Sequence, residues 1–131
     1  MKEFMLLIRN EKDHQENWSS DKQQQFLKAC ESYIEELKKN GHLKIAQPLI
    51  REGKLVSGSE GQWKLDAFNE RKEVIVGYYH LFAKDMEEAI SLAKKNPEFE
   101  FSSTARIEVR PIKIKEEATG FTYPEQHGPV K

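Results

Sequence analysis

A chain of 131 residues with 37% hydrophobic and 33% charged residues has the size for one domain around one core. Its net charge of −1 offers no basic stripe for nucleic acid, and no apolar run approaches the roughly 18 residues of a membrane helix. The single cysteine, Cys30, excludes an intramolecular disulfide and any multi-cysteine zinc site and fits a reducing cytoplasm.

Met1-Lys2-Glu3-Phe4 enters a strand-like run without the pattern of a signal peptide. Phe4 to Ile8 is almost continuously apolar and reads as a central strand buried on both faces. Arg9 to Ser19 is polar and reads as a loop. Ser20-Asp21-Lys22-Gln23 has the spacing of a capping box. Phe26, Leu27, Cys30, Tyr33, Ile34 and Leu37 follow at helical spacing, and Asn40-Gly41 is a suitable stop.

Leu43 to Ile50 contains Pro48, which cannot donate to a ladder, so it reads as an edge strand. Gly53, Gly58 and Gly61 punctuate two short extended pieces, Lys54–Val56 and Gln62–Leu65, which predict a hairpin. Val74 to Phe82 is the strongest strand. Asp85-Met86-Glu87-Glu88 is a second capping-box pattern, opening a helix that stops near Asn96-Pro97. Ala105 to Ile114 is a last strand, interrupted at Pro111. Residues 115–131 read as a mobile or docked tail.

The order of elements predicts an α+β fold: a ferredoxin-like split βαβ sheet with an inserted hairpin, over residues 3–114. Two helices cover one face of such a sheet, and no third long helix is available for the other. A second copy packed face to face supplies the cover, so the expected assembly is a homodimer in the form of a dimeric α+β barrel. Its cavity lies between the sheet and the partner.

Several residues are candidates for a site in that cavity. Tyr78 and His80 share one strand face by alternation, and histidine, with an ordinary pKa of about 6.5, suits general acid or base work. The plainer reading, and the one the residues favour, is a half-buried histidine bonded to a neighbouring strand. Asp66 is a candidate partner for a histidine, weighed against a turn-forming role, which is favoured. Glu70 and Lys72 are candidates for the cavity mouth, weighed against a solvated charged loop. Arg106 and Arg110 flank Glu108 on one strand face, and Arg9 ends the first strand towards the same region. Arginine forks suit a small anionic ligand, although a cross-strand ladder with Glu108 is the simpler arrangement. Cys30, in the apolar stripe, reads as a small core residue with a raised pKa, and core packing is the simpler account of Trp63. No HExxH or other two-histidine metal motif is present, no phosphate-cradling glycine motif is present, and no cofactor is expected.

The chain resembles the YCII-related superfamily, and within it the DGPF-type branch. The resemblance runs through Phe4-Met5-Leu6-Leu7-Ile8, Phe68-x-Glu70-x-Lys72-Glu73, Gly77-Tyr78-Tyr79, Asp85 to Ala93, and Ile107-Glu108-Val109-Arg110-Pro111-Ile112. Where that branch reads Asp-Gly-Pro-Phe, this chain reads Leu65-Asp66-Ala67-Phe68, and only Phe68 keeps register. One residue of slip reverses the facing of a strand, so the branch's aspartate is not carried over to Asp66. The resemblance implies a dimeric ferredoxin-like fold with a pocket. Some members are associated with alternative sigma factors, and a distant relative of the fold handles lactones.

Three readings of function follow. The first, favoured because spacing assigns no nucleophile, metal set or acid–base dyad, is a small-ligand-binding or regulatory module. The second is a cofactor-independent enzyme on a small oxo-acid, lactone or enol-like substrate, with His80 moving protons and Asp66 as a candidate acid. The third is an accessory protein in transcriptional control. Whether any reaction is catalysed stays open at this level.

Overall fold

A computed structural model describes residues 1–68 and 72–123. The elements run β1 (Lys2–Glu11), α1 (Ser20–Lys39), β2 (Leu43–Pro48), β3 (Lys54–Ser59), β4 (Gln62–Ala67), β5 (Glu73–Ala83), α2 (Met86–Lys94), α3 (Pro97–Phe101) and β6 (Arg106–Pro111). β2, β5, β1 and β6 form one antiparallel sheet in that order, and β3 and β4 form a separate hairpin. This is α+β architecture with the strand order of a ferredoxin-like sheet. Among the described residues no helix is long and apolar enough to cross a membrane.

β1 is not buried on both faces as its apolar run predicts. Phe4, Leu6, Ile8 and Asn10 are buried, while Glu3, Met5, Leu7 and Arg9 are half-buried on the opposite face. The core explains the difference. Leu6, Ile8, Val74, Val76, Tyr79 and Leu81 pack against Tyr33 and Leu37 of α1 and Ala93 of α2, so both long helices lie on one side. The other face of the sheet, the open face, has no helical cover among the described residues.

β5 reaches both faces through an irregularity. Its register with β1 shifts between Ile8, opposite Gly77, and Arg9, opposite Ile75, which leaves Val76 as an extra residue. Val74 and Val76 face the core, and so do Tyr79 and Leu81. The core positions therefore change from even to odd numbers across the bulge, and Tyr78, His80 and Phe82 turn to the open face. Gly77 sits where β2 approaches closely. A Cβ there would stand 3.1 Å from the Gln47 carbonyl oxygen and 3.3 Å from Pro48 Cα.

The helix ends follow their capping chemistry. Ser19, one residue ahead of the expected box, caps α1 by accepting from the Lys22 amide at 3.1 Å. Asp85 caps α2 by accepting from the Glu88 amide at 2.9 Å. Asn96-Pro97, read as a stop, also starts something. Pro97 needs no amide partner at the first position of a helix, Asn96 Oδ1 accepts from the Glu98 amide at 2.8 Å, and the short α3 forms.

The predicted hairpin is present, but Trp63 is 62% exposed on it and not part of the core. The start of the expected tail is not loose: residues 115–123 close into a turn through a Lys115–Thr122 bridge and a Glu116 amide bond to the Phe121 carbonyl. Gly77→Ala tests the close approach of β2. Its methyl meets backbone on β2, so the strand must move, and unfolding in urea should give a loss of about 1–3 kcal/mol. An unchanged midpoint would mean that β2 does not press on Gly77.

Candidate functional site

The open face collects polar residues of all four strands of the sheet. Across the sheet, Ile45, His80, Met5 and Arg110 form one row in register, and Gln47, Tyr78, Leu7 and Glu108 form the next. His80 is nevertheless 7% exposed. Its Nε2 lies 2.7 Å from Oε1 of Glu3, whose side chain is 13% exposed. An ionised carboxylate can only accept, so Nε2 carries the proton in this pair. Lys44 Nζ is 3.7 Å from the same Glu3 oxygen. His80 Nδ1 makes no hydrogen bond among the described residues and is not sealed from solvent.

This places an acid beside His80, but not Asp66. Asp66 lies on β4 of the separate hairpin, opposite Leu55, with Lys64 Nζ 3.9 Å from its carboxylate. Glu3 did not stand out in the sequence because β1 reads as an apolar run from Phe4. Extending the alternation back one residue puts Glu3 with Met5, Leu7 and Arg9, and that pattern is the signal that finds it.

The arginines are largely committed to the carboxylates of Glu73 and Glu108. Arg106 grips Glu73 with two bonds of 2.7 Å, and Arg9 donates to Glu108 at 2.8 and 3.2 Å while standing 3.7 Å from Glu73. The Arg106 guanidinium holds the Glu73 carboxyl below its ordinary pKa. Arg110 has the looser contact, 3.7 Å to Glu108, and is the most available of the three. A ladder is present but differs from the plainer reading: the cross-strand partner of Glu108 is Arg9, Arg106 bonds Glu73 of β5, and Arg110 meets Glu108 within β6. Lys72 is exposed and pairs with Glu11 at 3.3 Å, while Glu70 lies outside the described residues.

Beside His80 the open face is hollowed. Met5, Leu7, Ile75 and Tyr78 of the sheet, together with Leu49, Ile50, Gly53 and Phe68, bound a space of about 600 Å³. His80 does not line it directly, but Met5 is opposite His80 and Tyr78 is two residues before it on the same face. A larger cavity of about 1120 Å³ lies on the helix side of the sheet, away from His80. Among the described residues no group of three or more His, Cys, Asp or Glu side chains is gathered to hold a metal ion.

The model of the YCII-related domain matches residues 2–113, almost the whole of the sheet and its helices. The chain belongs to the YCII-related family. No curated protein matches this family member. In this YCII-related chain the matched segment spans every strand of the open face, including Glu3 on β1, His80 on β5 and Arg110 on β6.

Cys30, on α1, is half-buried, and burial, with a smaller contribution from the Glu98 charge, pushes its pKa up to about 11. The thiolate fraction at neutral pH is then about a hundredfold below that of a thiol near pKa 9. Alkylation by iodoacetamide should be slower than for a free cysteine by at least that factor, and should rise about tenfold per pH unit up to pH of about 11. Reaction at the rate of free cysteine would contradict the burial of this side chain.

Proposed function

We propose that this YCII-related protein is a cofactor-independent acid–base catalyst for a small oxo-acid, lactone or enol-like substrate bound on the open face. The observation that carries the reading is the 2.7 Å contact between His80 Nε2 and Glu3 Oε1, with Nδ1 unbonded among the described residues. Glu3 fixes the ring and the tautomer, so Nδ1 is the basic atom that meets substrate. Nδ1 takes a proton from carbon next to a carbonyl, or from an attacking water. The imidazolium that forms is stabilised by Glu3, and the same Nδ1–H returns the proton to product. Arg110, the least engaged arginine on this face, holds a substrate carboxylate, and Tyr78 borders the hollow that receives the rest of the molecule.

The open face is covered in this reading by a second copy, which gives the dimeric α+β barrel. Two observations support it. Met5, Leu7, Ile75 and Tyr78 leave half-buried apolar surface on the sheet, and Val56, Trp63 and Leu65 stand on one hairpin face with 62–65% exposure. The assignment to the DGPF-type branch rests on the run from Phe68 to Tyr79. A binding module without chemistry would use the same hollow, and an accessory protein would use the same hairpin face.

Deuterium exchange separates these readings. The protein is incubated in heavy water with a panel of 2-oxo acids and lactones, and proton loss next to the carbonyl or ring opening is followed by NMR. His80→Ala should lower turnover of any responsive compound by about 10²–10⁴-fold, and Glu3→Gln should lower it less. Full activity in His80→Ala would remove the enzyme, and binding without turnover would leave the ligand module. For the assembly, light scattering should give twice the 15.3 kDa chain mass for the wild type and the single mass for Val56→Asp/Leu65→Asp. A wild-type monomer at micromolar concentration would rule out the barrel.

A further inference from the structure

Two neighbouring faces of α1 have different surroundings. Tyr33 and Leu37, towards its end, are buried against the sheet, whereas Leu27 is 64% exposed and Phe26, Cys30 and Ile34 are only half-buried. The space beside the less buried face, from Gln23 to Lys38, is the helix-side cavity of about 1120 Å³. Trp18, Phe26 and Ile34, together with Pro48 and Ile50, give it an apolar wall, while Lys12, Glu31, Glu35, Lys38 and Glu52 also border it. Trp18 and Phe26 meet edge to face with ring centres 5.3 Å apart, and Phe101 of α3 packs on both rings, so this aromatic wall is held in place.

The floor is polar and its hydrogen bonding is unfinished. Asn96 and Glu98, brought in by the start of α3, are 4% and 7% exposed and line the cavity, and Arg51 enters from the segment after β2. Asn96 Nδ2 and Arg51 Nε are both sealed from solvent without a hydrogen-bond partner. Asn96 Nδ2 lies near the Tyr33 and Tyr79 hydroxyls without an aligned bond to either, and Tyr33 donates instead to the Leu92 carbonyl at 2.8 Å. Glu98 receives Asn10 Nδ2 at 3.0 Å and stands 2.9 Å from His14 Nε2, a close contact that is not aligned as a hydrogen bond. Both contacts fall on Oε1, and among the described residues Oε2 has no hydrogen bond.

Buried polar groups are ordinarily paired, and unpaired ones concentrated in one cavity point to a missing partner. Two unpaired donors, one of them on a guanidinium, require accepting oxygens. Glu98, bonded through Oε1, has Oε2 left to accept a further donor. An anion alone would meet the charge of Glu98, and an amine alone would meet that of Arg51, so the complementary head group carries both functions. The Trp18 and Phe26 wall requires an apolar body. We propose that the helix-side cavity binds a carboxylic acid with an amino or hydroxyl group next to the carboxylate and an aromatic or large aliphatic body. The carboxylate lies on Arg51 and Asn96, the donor on Glu98 and the body along Trp18 and Phe26. Burial lowers the pKa of Arg51, and the charge of Glu98 offsets this only in part. The site lies across the sheet from His80 and stands independently of any chemistry there.

The test is a ¹H–¹⁵N NMR titration of the full chain with four matched probes: L-phenylalanine, phenyllactate, 3-phenylpropanoate and phenethylamine. Phenylalanine and phenyllactate should shift the Arg51 and Glu98 amides and the Trp18 indole. The acid without the donor and the amine without the acid should each bind at least tenfold more weakly. Arg51→Gln, at a half-exposed position, should weaken phenylalanine at least tenfold, and Glu98→Gln should remove its advantage over 3-phenylpropanoate. Equal binding of all four probes, or insensitivity to Arg51→Gln in a variant with an unchanged spectrum elsewhere, would overturn the head-group assignment. No shift at these residues with any probe would overturn the site, leaving water as the partner of the unpaired donors.

Discussion

The extra residue at Val76–Gly77 controls which side chains see which side of the sheet. The core needs Val74 and Val76 from the first part of β5, and it needs Tyr79 and Leu81 from the second. No regular strand can present both sets to one face, because alternation has a period of two. The bulge supplies the missing step, and the absence of a side chain at Gly77 lets β2 close to within contact of it. Without that step His80 would point into the helices, where burial without a partner carries a high cost. With it, His80 reaches Glu3 on the neighbouring strand.

The sheet thereby separates two chemistries. On the helix side, apolar packing is dense around Tyr33, Leu37 and the strand residues that meet them, and loosens along the neighbouring face of α1 that carries Phe26, Cys30 and Ile34. There Asn96, Glu98 and Arg51 stand around unpaired atoms. On the open face a ladder of Arg9, Glu73, Arg106 and Glu108 is internally neutralised at one end, and the His80–Glu3 pair stands at the other. Leu49, Ile50 and Glu52 border both cavities, so the segment after β2 is a wall common to the two.

The parts legible in the sequence were those governed by local rules. The stripe and caps of α1, the glycine-marked hairpin, the edge position of β2 with Pro48 and the strand after Glu73 follow from spacing and turn chemistry. The parts that escaped depend on partners distant in the chain. The facing of His80 hangs on a bulge that only the competing demands of the core reveal. Glu3 is 77 positions away from His80 and becomes its neighbour only through the β1–β5 register. Asp66, close in sequence, is carried off by the hairpin. Asn96-Pro97 reads as a stop because a capping residue and a proline end one helix with the same chemistry that begins the next. The family resemblance survived where the segment-by-segment pattern is broad, and the match over residues 2–113 bears out the YCII-related assignment.

The most direct test of the His80–Glu3 pair is its proton. Long-range ¹H–¹⁵N correlation spectra on ¹⁵N-histidine-labelled protein report which ring nitrogen carries hydrogen in the neutral imidazole. The account predicts that His80 is held with hydrogen on Nε2 and a bare Nδ1, and that Glu3→Gln disturbs this preference. A His80 ring protonated on Nδ1, or one whose tautomer is indifferent to Glu3→Gln, would contradict the pairing on which the proposed chemistry rests.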